Sequence, residues 1–114
     1  IDLIERQYLQ NAAEVGQYAM DALEEIQMRH PSIGQVRGEG LMIGVDFVKD
    51  PQTREPDSAQ RGRVEALGFE NGLLLLGCGK SAIRLSPPLS TSIAEIDEGL
   101  QIFDHIIGLA ERGL

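Results

Sequence analysis

The chain has 114 residues, 42% of them apolar and 25% charged, with a formal net charge of −8. That composition suits one folded domain, or part of one, and excludes a disordered tail; a scattered acidic surface also repels phosphate backbones and argues against nucleic acid as a partner. Cys78 is the only cysteine and the two histidines lie far apart in sequence, so no disulfide and no metal cluster is expected, and no apolar run reaches the ~18 residues of a membrane span.

A reduced, soluble, cytoplasmic protein is the resulting expectation. The chain opens Ile1-Asp2-Leu3-Ile4, without Met and already inside an amphipathic pattern, which reads as a fragment of something longer.

The first predicted element is a long helix over about residues 2–29, with Ile4, Tyr8, Ala12, Val15, Ala19, Leu23 and Ile26 on one stripe. Gly16 weakens it and Pro31 stops it. Its length predicts that it leans partly on a neighbour outside this chain. A tight turn at Gly38-Glu39-Gly40 then leads into a strand over 41–48, with Leu41, Ile43, Val45 and Phe47 on one face and Met42, Gly44, Asp46 and Val48 on the other. The polar stretch 49–56 is a loop.

Asp57 or Ser58 caps a second helix running to about Glu70, and Asn71-Gly72 stops it. Leu73-Leu74-Leu75-Leu76 reads as a short buried strand, residues 77–81 as a turn, and Ala82–Ser86 as a further strand ended by Pro87-Pro88. Ser92 and Glu95 form a capping box for a last helix, whose inner face is Ile96, Leu100, Phe103, Ile107, Ala110 and Leu114.

The order α-β-α-β-β-α predicts an α+β fold. Its small antiparallel or mixed three-stranded sheet is a split βαβ unit, with 82–86 in the middle and helices on one face. By residue range, 1–35 is the long helix leading in and 36–114 is the small domain proper.

Several motifs fail on context. Gly79-Lys80-Ser81 lacks the glycine a phosphate loop needs at position 74 and precedes a strand. Gly38, Gly40 and Gly44 miss the dinucleotide spacing by one and also lead into a strand. Cys78 has no histidine near it in sequence. Lys49 and Lys80, the only lysines, stand in polar loops and not in the desolvated surroundings of a Schiff-base lysine.

Arg84 differs, because it interrupts an apolar central strand. Alternation places it with Ala82 and Ser86, whose small side chains leave room for a guanidinium that captures a carboxylate bidentately. A cross-strand ion pair with Asp46 accounts for it equally well.

Residues 36–47, Val-Arg-Gly-Glu-Gly-Leu-Met-Ile-Gly-Val-Asp-Phe, resemble the start of the C-terminal small domain of class III pyridoxal-phosphate-dependent aminotransferases. Gly72–Gly79, the run Ile83-Arg84-Leu85-Ser86-Pro87-Pro88-Leu89, and Ile96–Leu100 continue that resemblance in order. The stretch from Gly77 to Arg84 is most similar to the 4-aminobutyrate branch, with acetylornithine- and ornithine-type relatives as the alternative.

The resemblance implies the small domain of a fold-type-I enzyme that moves an amino group from 4-aminobutyrate or a similar ω-amino acid to 2-oxoglutarate. It implies pyridoxal phosphate in the full-length parent, a large domain that holds the Schiff-base lysine and the cofactor, and a homodimer or higher oligomer. Arg84 matches the small-domain arginine that binds the substrate carboxylate. Glu39 and Cys78 match motif positions without an assigned role. The 114 residues alone are then expected to bind no cofactor and to be inactive. A stand-alone acidic module binding a small carboxylate through Arg84 is the reading from another class.

Overall fold

The helical stripe of the sequence forms α1, Leu3–Arg29. The computed structural model describes residues 3–40, 42–73, 75–85 and 91–113, and not the side chains of Ile4 and Glu39. The stripe is buried from Ala12 onward, through Val15, Ala19, Leu23 and Ile26. Tyr8, expected on the same buried stripe, is 46% exposed, as the first turns of the helix run past the core. Gly16 has a packing reason: a Cβ there would run into the backbone carbonyl of Gly40.

Among the described residues four strands form the sheet, not the expected three. The extra strand is β1, Ile33–Glu39, antiparallel to β2, Met42–Phe47. Its sequence hides it, since Gly34 and Gly38 interrupt the pattern and a bulge near residues 33–35 shifts the alternation. An edge strand needs little apolar material, and Ile33 and Val36 supply it. Gly38 lies so close to β2 that a Cβ would sit 2.7 Å from the Met42 carbonyl. The turn comes later than the expected Gly38-Glu39-Gly40, at Gly40 with φ +58, because Gly38 and Glu39 are paired in β1. Leu41, expected on the inner face, lies outside the described residues.

Helix α2 spans Ser58–Glu70, with Asp57 as its N-cap accepting from the Gln60 amide at 2.9 Å. Gly72, at φ +77, follows its end, and the Leu73 amide closes it by donating to the Gly68 carbonyl at 2.7 Å. That bond displaces the next strand from its expected position at 73–76: β3 is Leu76–Cys78. Leu73 is spent on the helix end and Leu75 packs against Gly68, so ladder pairing starts only at Leu76. Leu74 lies outside the described residues.

The hairpin turn is correspondingly shorter than 77–81, with Gly79 at φ +59 leading into β4, Ala82–Leu85. Ser86 to Leu89 lie outside the described residues. Helix α3, Ile93–Glu111, carries the expected capping box.

The strand order is β1-β2-β4-β3 and every neighbouring pair is antiparallel. The split arrangement therefore stands, with β4 between β2 and β3, and an edge strand added. Ile43, Val45, Phe47 and Ile83 point into one core with Leu23, Val64, Leu100, Phe103, Ile106 and Ile107 from the three helices. The helices thus cover one face and leave the other open. Among the described residues no helix is long and apolar enough to cross a membrane.

One polar cluster ties α1 to α3. His30, just past the end of α1, aims Nδ1 at Glu111 Oε1 (2.7 Å) and Nε2 at Asp104 Oδ1 (2.5 Å). Arg29 donates to the other Asp104 oxygen at 2.9 Å, and the Ser32 amide to the other Glu111 oxygen at 3.0 Å. Partial burial pushes both carboxyls up. Hydrogen bonds from His30 and Arg29 to Asp104, and from Ser32 and His30 to Glu111, outweigh it and hold both below their ordinary values.

The unfolded chain therefore takes up protons first as the pH falls. Stability present above the ordinary carboxylate range of about 4 is lost as the pH drops through the lower folded values. Urea midpoints at pH 6 and pH 3 are expected to show this loss, and a D104N/E111Q variant to lose less over the same interval. Equal losses in the two proteins would refute it.

Candidate functional site: the open face of the sheet

Strand register decides which side chains meet on the open face. Arg37 of β1 stands opposite Gly44 of β2, which stands opposite Arg84 of β4, which stands opposite Leu76 of β3. The adjacent row runs Gln35, Asp46, Ala82, Cys78. Two arginines thus flank a residue without a side chain. Asp46 lies diagonal to both of them, within reach of long side chains.

The Asp46 carboxylate is held by Arg37. One guanidinium nitrogen of Arg37 bonds Asp46 Oδ2 and the other reaches Oδ1 at 3.4 Å. That hydrogen bond, reinforced by the charge of Asp46, raises the Arg37 pKa above its ordinary value and keeps it cationic. The Arg37 stem lies beside Gly44, where a Cβ would be 3.8 Å from Cγ and from Nε.

Arg84 is exposed, as its alternation with buried Ile83 requires. Among the described residues its hydrogen bond is to Cys78, Nη2 to Sγ at 3.7 Å, and no carboxylate pairs with it. The alternative of an Arg84–Asp46 ion pair is therefore overturned: the face brings both residues together, but Asp46 is engaged on the other side. Cys78 is partly exposed and touches the guanidinium. Arg37, Met42, Gly44, Cys78, Ala82 and Arg84 line a shallow concavity of about 370 Å³. Such a floor, carrying a cation with donors to spare, suits an anionic group.

Sequence reasoning gave Arg37 no role and placed it in no strand. The signal was the alternation of Gln35, Arg37 and Glu39, an edge-strand pattern obscured by two glycines.

The chain matches the family "Aminotransferase class-III" over residues 1–107. It belongs to that family. It is 37% identical over 114 residues to the isoleucine 2-epimerase of Lentilactobacillus buchneri, covering 99% of this chain and 25% of that protein. It is 35% identical over 106 residues to the 4-aminobutyrate aminotransferase of Escherichia coli K12, covering 91% and 25%. A Bacillus anthracis aminotransferase crystal structure superposes with a TM-score of 0.88 at 26% identity, covering 94% of this chain and 25% of that one. The chain spans about a quarter of the length of these class-III relatives, and its fold is that of their small domain.

The family implies pyridoxal phosphate as cofactor, and the residues described do not by themselves fit it. A Schiff-base lysine needs an enclosed, desolvated seat. Lys49 is 57% exposed, with its ammonium 3.7 Å from Glu55, and Lys80 is exposed in the hairpin turn. What the open face offers is the exposed Arg84 guanidinium.

Proposed function

We propose that this chain is the small-domain part of an enzyme that moves an amino group from 4-aminobutyrate or a similar ω-amino acid to 2-oxoglutarate, with Arg84 taking a substrate carboxylate. The exposed Arg84 guanidinium, with its neighbouring carboxylate engaged by Arg37, carries the reading. The amine donor is supported by the likeness to 4-aminobutyrate aminotransferase. Pyridoxal phosphate is proposed for the full-length, dimeric, cytoplasmic parent. The 114 residues alone are proposed to be inactive, since both lysines are exposed.

Likeness to isoleucine 2-epimerase over nearly the whole chain favours a second reading, inversion at the α-carbon of an amino acid. The same arginine serves either chemistry, because each substrate carries a carboxylate. The full-length enzyme with 4-aminobutyrate and 2-oxoglutarate is expected to form glutamate stoichiometrically. Loss of circular dichroism from L-isoleucine, without glutamate formation, would replace the first reading by the second.

A further inference from the structure

Asp46 faces a choice that the strand register leaves open. Gly44 pairs with Arg37 on one side and with Arg84 on the other, and Asp46 stands two residues along the same strand. Both arginines are thus diagonal neighbours of one carboxylate. Asp46 goes to Arg37, while Arg84 leans the opposite way, over β3, to the sulfur of Cys78. A carboxylate on Arg84 would occupy the fork that a substrate carboxylate needs and would cancel its charge.

We propose that Arg37 is a positioning residue that holds Asp46 away from Arg84 and so keeps Arg84 available for the substrate carboxylate. The proposal rests on the substrate-binding role of Arg84. Gly44 stands between the two guanidinium groups in register, and the Arg37 stem lies across it in van der Waals contact. The Arg37 side chain is 54% exposed and that of Asp46 24%, so the pair sits at the rim of the sheet, and melting curves of each variant accompany the kinetics.

The test is a mutant cycle in the full-length enzyme, read as KM for the carboxylate substrate against kcat. Arg37→Gln frees Asp46 to turn to Arg84 and is expected to raise KM about tenfold with kcat within about twofold. Arg37→Lys, which keeps a cation beside Asp46, is expected to remain near the parent. Adding Asp46→Asn to Arg37→Gln is expected to return KM to within about twofold of the parent.

An Arg37→Gln variant with unchanged KM overturns the proposal. So does a double variant as impaired as Arg37→Gln alone, because Arg37 would then act without Asp46. Arg84→Gln separates the two levels. If it leaves KM unchanged, the carboxylate role of Arg84 itself has failed. If it raises KM while Arg37→Gln does not, only the positioning role has.

Discussion

Arg84→Ala in the full-length enzyme is expected to raise KM for the carboxylate substrate roughly 10- to 150-fold, equivalent to about 1.5–3 kcal/mol for a hydrogen-bonded charge. The side chain lies on the open face and bonds only to the Cys78 sulfur among the described residues, so nothing in the core depends on it. Thermal stability is accordingly expected to change by no more than about 0.5 kcal/mol. Steady-state kinetics and a melting curve on the same preparation check both halves. Unchanged kinetics would leave Arg84 a surface residue. A large fall in melting temperature would mean that the guanidinium holds the sheet together, and the kinetic loss would then be indirect.

His30→Ala is expected to have the largest effect on stability, about 2–4 kcal/mol, because it removes the ring whose two nitrogens bond both partly buried carboxyl groups of α3 and leaves each a partner short. The His30 side chain is 11% exposed, and both ring nitrogens aim at carboxylate oxygens. Asp104 keeps Arg29 and Glu111 keeps the Ser32 amide, so the loss stays below that of a fully isolated buried charge. Urea unfolding of the variant checks the size. A companion D104N/E111Q background tests the cause, since His30→Ala there is expected to cost clearly less. Equal costs in both backgrounds would assign the effect to ring packing against α3.

Much of the scaffold was legible as pattern. The stripe from Ala12 to Ile26, the Ser92–Glu95 capping box and the glycine at 79 act through neighbours a few residues away, and such short-range effects are written directly into the sequence. The edge strand β1 was not legible. Its apolar content is low, and what makes it a strand is pairing with β2. The four leucines at 73–76 misled for a related reason. They are apolar enough for a strand, but the first of them closes a helix through its amide, and hydrophobicity does not report how a backbone group is spent.

The site divides in the same way. That Arg84 stands on an otherwise apolar strand, opposite in sense to Ile83 and Leu85, follows from alternation, and the motif around it resembles the class-III aminotransferases to which the chain belongs. Alternation also puts Asp46 on that face. It does not say which arginine Asp46 meets, because Arg37 belongs to the strand that the pattern hid and both arginines are diagonal to it in register. The sequence by itself determined the helices, the orientation of the central strands and the candidate cation. Only the tertiary structure decided the fourth strand and the pairing of Asp46 with Arg37, since both depend on contacts between strands that no local periodicity encodes.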